Sequence, residues 1–267
     1  MPGEALTWLT YAGLGVFVGF FSGLLGIGGG AMTVPILGLV FLAFGFSPEN
    51  VMPLALGTSL AVIIPASASS AREHRRHGAV RADLVRAVAP GIALAGLAAG
   101  AIARITPVAF LKYFFLAFVF YVTAQIFFGL KPSGERPLPG RAGLAAIGVL
   151  IGGVSGLVGV GGAMISLPFM TWWGVPFRSA IGTSAAISLV VAVAGALGYV
   201  AAGLTVPSLP PWTVGYVYLP ALLGISVTSV FVAPWGARLA HRLPVGILKK
   251  IFALFLLALA VKLIASL

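Results

Sequence analysis

The chain has 267 residues, of which 60% are hydrophobic, 8% are charged and none is cysteine. Soluble domains carry about 25% charged residues, so a soluble core cannot explain this composition, and the missing thiols exclude disulfides, thiolate metal sites and cysteine nucleophiles. A formal net charge of +11 raises nucleic-acid binding as a reading, and the placement of the charges has to decide it.

Met1 to Thr10 contain Glu4 and no basic residue. A cleaved signal opens on a positive n-region, so the first apolar run is expected to stay as a span. Apolar stretches lie at roughly 7–28, 31–46, 51–71, 84–104 and 108–130. A linker rich in Pro, Gly and charge follows, KPSGERPLPGR at Lys131–Arg141, and then stretches at roughly 141–160, 163–174, 179–202, 212–235 and 245–266. Runs this long and unalternating read as helices, because only helices and closed barrels satisfy the backbone in lipid. The second stretch of each half is short. At about 1.5 Å per residue, 163–174 reaches roughly 18 Å against a hydrocarbon core near 30 Å. Ser47 and Asp83 read as helix N-caps, with Pro48 at a first helical position. Trp8, Trp172, Trp173, Trp212 and Trp235 fall near helix ends, where amphipathic rings favour the interface.

The two halves resemble each other in order. SGLLGIGGGAMTVP at Ser22–Pro35 matches SGLVGVGGAMISLP at Ser155–Pro168, displaced by 133 residues. ALGTS at Ala55–Ser59 matches AIGTS at Ala180–Ser184, displaced by 125, and Leu111-Lys112 matches Leu248-Lys249, displaced by 137. Three ordered matches predict a duplicated five-segment unit: a first repeat over 1–130, a linker over 131–141 and a second repeat over 142–267. Five segments per unit is odd, so the second copy is expected upside down, the inverted-repeat plan of many secondary transporters. The expected fold is an all-α polytopic membrane protein of about ten helical segments, with short or broken helices after the glycine-rich turns.

Charge placement fits that plan. With the N-terminus outside, inner segments carry Arg72, Arg75, Arg76, Arg81, Arg86, Lys131, Arg136, Arg141, Arg178, Arg238, Arg242, Lys249 and Lys250, leaving Arg104, Lys112 and Lys262 outside. The basic stretch Arg72–Arg86 corresponds to the uncharged AAGLTVPSLPP at Ala201–Pro211, a contrast that inversion and the positive-inside rule explain together. The net charge is therefore an orientation signal toward anionic lipid headgroups, and nucleic acid is not an expected partner. Both termini are expected on the outer side of a bacterial inner membrane.

GIGGGA at Gly26–Ala31 fits the pattern of a dinucleotide fingerprint but follows an apolar helix instead of a strand. Two readings remain. One is close helix packing through small residues. The other is a helix break at Gly28, Gly29 and Gly30, repeated at Gly161 and Gly162, whose restarting half-helices aim free N–H groups at an oxyanion. On that reading Ser22, Thr33, Ser155 and Ser166 add hydroxyls. The triplets Gly57-Thr58-Ser59 and Gly182-Thr183-Ser184 divide the same way: packing and back-bonding, or Thr58, Ser59, Thr183 and Ser184 as further neutral donors.

No Asp or Glu lies in the middle of a predicted span, which argues against a cation carrier or a carboxylate proton relay. His74, His77 and His241 fall in inner segments and read as solvated, and too few ligands gather for a metal. Lys112, Lys262 and Arg104 read as snorkelling cations, although Lys112 and Lys249 are equivalent by the repeat and suit a paired role in guiding anions. No cofactor and no enzymatic chemistry are expected.

The paired glycine turns, the GTS triplets and the central linker resemble the TauE/SafE family of sulfite-exporter-like permeases, over about residues 8–266. The resemblance implies movement of sulfite, thiosulfate, sulfonates or related sulfur anions across a membrane. It also implicates Ser22, Gly26, Gly28, Gly29, Gly30, Pro35, Gly57, Thr58 and Ser59, and in the second half Ser155, Gly156, Gly159, Gly161, Gly162, Pro168, Gly182, Thr183 and Ser184. Ala163 stands opposite Gly30, a departure that makes the second turn less open. The expected function is a secondary transporter, exporting by alternating access. The alternatives are a passive anion channel or a transporter of another small organic or inorganic anion.

Overall fold

Glycine, proline and charge interrupt the apolar runs; some of these interruptions end helices, while others, such as Pro65 and Arg72 in the third helix, lie inside them. The computed structural model describes residues 4–25, 30–128, 137–240 and 245–266. Among them are ten helices: α1 Glu4–Leu25, α2 Gly30–Ala43, α3 Pro48–Arg76, α4 Ala82–Ile105, α5 Val108–Phe128, α6 Arg141–Val158, α7 Ala163–Trp172, α8 Phe177–Gly203, α9 Leu219–Ala240 and α10 Val245–Ser266. Before α9 comes a small antiparallel hairpin, β1 Thr213–Val214 and β2 Val217–Tyr218. Helix boundaries recur at the sequence displacements. Leu25 and Val158 end α1 and α6, Gly30 and Ala163 begin α2 and α7, and Ala82 and Leu219 begin α4 and α9.

Five of the helices, α3, α4, α5, α6 and α8, are long and apolar enough among the described residues to cross a membrane. With 10 residues, α7 reaches about 15 Å, half of a hydrocarbon core. Helix α2 has 14 residues and is buried continuously from Gly30 to Gly38, so it is apolar on all sides, as a helix enclosed by others must be. Helix α3 is the axis of the molecule, buried from Asn50 to Ile63 and packed against α2, α8 and α9. The periphery carries apolar side chains that face outward, among them Leu94 and Ile105 of α4 and Phe120 and Phe128 of α5, an arrangement suited to lipid and costly in water.

The most extensive packing pairs α1 with α9 and α4 with α6. Small residues allow it. A Cβ at Gly148 would run into the carbonyl of Val88, and one at Gly19 would stand 2.5 Å from Ser229 Cα, so these backbones are near contact in the manner of small-residue membrane interfaces. Both pairs run parallel: Tyr11, Gly15 and Gly19 meet Gly224, Ile225 and Ser229, while Gly91 and Ala99 meet Gly148 and Gly156. Equivalent helices instead run antiparallel. Gly57 of α3 lies beside Tyr199 of α8 and Leu60 beside Gly195. Thr123 of α5 bonds the carbonyl of Ala253 of α10, and Lys250 sits 5.8 Å over the Phe127 ring.

The structure corrects several details. Residues 212–218 form a turn and the hairpin, so the ninth helix starts at Leu219 and not at 212; Pro207, Pro210 and Pro211 withhold helical N–H groups, and Trp212 takes a left-handed φ of 65°. Arg72, Arg75 and Arg76 are helical, since α3 runs on to Arg76. Asp83 lies inside the first turn of α4 and pairs with Arg81, which occupies the cap position. Ser47 is at its cap position but gives no side-chain bond; its carbonyl instead accepts from Asn50 and Val51.

Candidate functional site

Gly159 ends α6 in a left-handed conformation, φ 70°, with its N–H on the carbonyl of Ser155, and Val160 donates to the same carbonyl at 3.1 Å. Only glycine adopts this conformation at little cost. The chain restarts when the Gly162 carbonyl accepts the N–H groups of Ile165 and Ser166. Between the two helices Gly161 and Gly162 are buried, and among the described residues neither N–H has a partner. Buried backbone donors are nearly always paired, so two in succession at a half-helix start are a rare feature. The N–H of Ala163, opening α7, donates to Ser188 Oγ at 2.9 Å.

The start of α2 lies against the break between α6 and α7. A Cβ at Gly30 would stand 3.3 Å from Val160 Cα and would run into Ile63 Cδ1. Ser59 joins both, donating to the Gly159 carbonyl at 2.7 Å with the Gly30 carbonyl at 3.3 Å. Gly28 and Gly29 lie outside the described residues, as does the side chain of Ser22 at the end of α1.

The hydroxyls nominated from sequence separate into two sets. Thr33, Ser59, Ser155, Ser166 and Ser184 are all buried. Ser166 Oγ donates to Ser184 Oγ at 3.0 Å, and Ser155 Oγ is buried with no partner among the described residues. Thr58 and Thr183 bond away from the breaks: Thr58 Oγ1 accepts the N–H of Tyr218 at 3.0 Å, and Thr183 Oγ1 accepts that of Arg81 at 3.0 Å while donating to the Ser179 carbonyl. Sequence reasoning missed Ser188. Its signal was a hydroxyl inside an apolar span, five positions after Thr183, where the first half has Ile63.

No charged side chain is among the described buried residues. The local field at the breaks therefore comes from backbone dipoles: a half-helix start is positive and suits an oxyanion. Burial pushes the Tyr216 and Tyr218 hydroxyls of the hairpin up from their ordinary range. Helix direction gathers the cations. Arg72, Arg75 and Arg76 end α3, and Arg81, Arg86, Arg141 and Arg178 lie at the starts of α4, α6 and α8. Given the parallel and antiparallel pairings above, all of these share one face.

A family model described as sulfite exporter TauE/SafE matches residues 11–263. The chain belongs to the TauE/SafE family. A probable membrane transporter protein of Haemophilus influenzae is 36% identical over 255 residues, covering 93% of this chain and 94% of that protein. One from Bacillus subtilis is 27% identical, covering 91% and 92%, and one from Methanocaldococcus jannaschii is 24% identical, covering 86% and 85%. No solved structure gives a significant match. The family and the apolar helices together make this an integral membrane protein of a transporter family, as its composition required.

Proposed function

We propose that the chain is a secondary carrier, acting as an exporter, for small sulfur-containing anions such as sulfite or an organosulfonate. The single observation that carries the reading is the pair of buried N–H groups at Gly161 and Gly162 that have no partner among the described residues, beside the start of α2 at Gly30. Two successive backbone donors, a half-helix dipole and neighbouring hydroxyls at Ser155 and Ser188 suit a tetrahedral or pyramidal oxyanion. They would hold it without a charged side chain that binds too tightly to release. The family description supports the sulfur oxyanion class.

The two halves, 1–130 and 142–267, act as inverted repeats joined by the linker 131–141. The antiparallel runs of α3 against α8 and of α5 against α10 support inversion, because equivalent helices of an inverted pair must oppose one another. The face that gathers the arginines lies against anionic headgroups on the inner side, which puts both termini outside. Ile63 packs against Gly30 and 3.7 Å from a Cβ position at Gly161, so the centre is closed on itself, a state expected of a carrier and not of an open anion pore.

The test is an anion panel on purified protein in liposomes, with export and counterflow measured for sulfite, a sulfonate, sulfate and chloride. We expect sulfite or the sulfonate to exchange, and Gly161→Val, whose Cβ would press on Ser188 Oγ at 3.3 Å, to reduce flux at least tenfold. Exchange of sulfite unchanged in Gly161→Val would reject the break as the site. Chloride conductance without counterflow would replace the carrier by a channel.

A further inference from the structure

The two GTS triplets do more than pack helices. At the first, a Cβ on Gly57 would run into the carbonyl of Tyr216, and Thr58 Oγ1 accepts the N–H of Tyr218. At the second, a Cβ on Gly182 would stand 2.7 Å from the carbonyl of Ala79, and Thr183 Oγ1 accepts the N–H of Arg81. Each triplet thus grips a connecting segment in the same way. The glycine lets a backbone carbonyl approach, and the threonine holds the N–H two residues later. The gripped segments are the α3–α4 connection and the hairpin before α9, so each half's triplet holds the strap of the other half.

These straps sit at opposite ends. Helices α3 and α8 run antiparallel, the hairpin bonds Tyr199 near the end of α8, and the 77–81 connection follows the end of α3. Along each helix the threonine lies five residues before the position facing the breaks, Ile63 or Ser188, which is about 7 Å of helix. The candidate anion site therefore lies midway between the two straps. The hairpin also borders a cavity: Tyr218 and Trp212 line a space of about 570 Å³ with Trp8, Phe44 and Phe46.

We propose that the Gly-Thr-Ser triplets are gate latches, each holding the strap that closes one face of the carrier, and that release of one latch at a time opens the site alternately to the two faces. This rests on the carrier reading above. A neutral hydrogen bond at each latch is strong enough to hold a strap and weak enough to exchange on the timescale of a transport cycle.

The test uses a reporter cysteine in a chain that has none of its own. Ile63→Cys lies between the breaks, and its labelling by a membrane-impermeant thiol reagent is measured from each face in proteoliposomes. Thr58→Val, which keeps the shape of the side chain and removes the acceptor, should speed labelling two- to tenfold from the hairpin face only, the range for one net hydrogen bond. Thr183→Val should do so from the 77–81 face only. Conversely, the pairs Thr58→Cys with Tyr218→Cys and Thr183→Cys with Arg81→Cys should, once oxidised, block labelling from the linked face and stop flux until reduced. A contact of 3.0 Å between the threonine oxygen and the backbone nitrogen brings the Cα atoms close to the roughly 4.4–6.8 Å that a disulfide spans. Labelling altered from the same face by both substitutions, or from neither, overturns the latches, as does undiminished labelling and flux in the oxidised pairs. If the valine variants do not fold, the oxidised pairs decide. Labelling needs no substrate, so an anion panel without transport would reject the substrate class while face-specific labelling still upheld the latches.

Discussion

Replacing Ser59 by alanine tests whether one hydroxyl ties the end of α6 and the start of α2 to the central helix. Ser59 is fully buried, donates to the Gly159 carbonyl at 2.7 Å and lies 3.3 Å from the Gly30 carbonyl. A hydrogen bond between membrane helices is worth about 0.6 kcal/mol on average, with a ceiling near 1.7. That average includes partners which find replacements. The Gly159 carbonyl ends a helix and has no following turn to supply an N–H, so its loss adds part of the roughly 1–3 kcal/mol that a stranded buried group costs. The Gly30 contact is long and contributes little. The sum is about 1.5–2.5 kcal/mol, or roughly 3–10 °C for a chain of this size at 2–4 °C per kcal/mol. The assay is thermal unfolding in detergent followed by tryptophan fluorescence, with Ser67→Ala as the control. Ser67 bonds the Ile64 carbonyl of its own helix at 3.1 Å, and that carbonyl keeps its helical partner, so the control should move the midpoint by about 1 °C or less. Equal midpoints for the two variants would refute the claim that Ser59 ties the end of α6 to the start of α2.

Two further outcomes follow from packing and direction. Gly148→Ala drives a Cβ into the Val88 carbonyl and should cost about 1–3 kcal/mol by overpacking, whereas Gly153→Ala, with its nearest neighbour at 3.9 Å, should leave the same melting curve in place. Single cysteines at the exposed positions Arg75 and Arg141 should label from one face and a cysteine at exposed Thr205 from the other; labelling of all three from one face would dismiss the shared arginine face.

Much of the fold was legible because the bilayer leaves so few options. At α4, α7 and α10 helix ends fall within two residues of the expected ones, whereas α3 runs five residues past its expected end, through Arg72, Arg75 and Arg76. Another departure is instructive. Trp212–Tyr218 reads as apolar helix by composition, but the prolines before it and the left-handed Trp212 direct a hairpin instead. At the site, the two glycine turns were visible as motifs, and their meeting at Gly30 and Val160 was not. That contact joins residues 130 positions apart, a tertiary relation with no local signature. Ser188 was overlooked for a related reason: its partner is a backbone N–H, and backbone partners have no residue type to search for.

The latches were hidden by the same limit, and their register argues that they are more than incidental contacts. The displacement between equivalent residues is 125 at the triplets and 137 in the segments that follow, so the second half holds extra residues between its eighth and ninth helices. Those residues fall in the uncharged stretch before the hairpin. Yet the straps meet the triplets in step. Tyr216 and Ala79 touch the glycines, Tyr218 and Arg81 bond the threonines, and each strap enters the next helix at Leu219 or Ala82. Loops of unequal length that merely filled space would have no reason to keep a two-residue spacing between the carbonyl at the glycine and the N–H at the threonine. A strap that must close the same kind of gate at both faces would keep that spacing and absorb the extra length upstream.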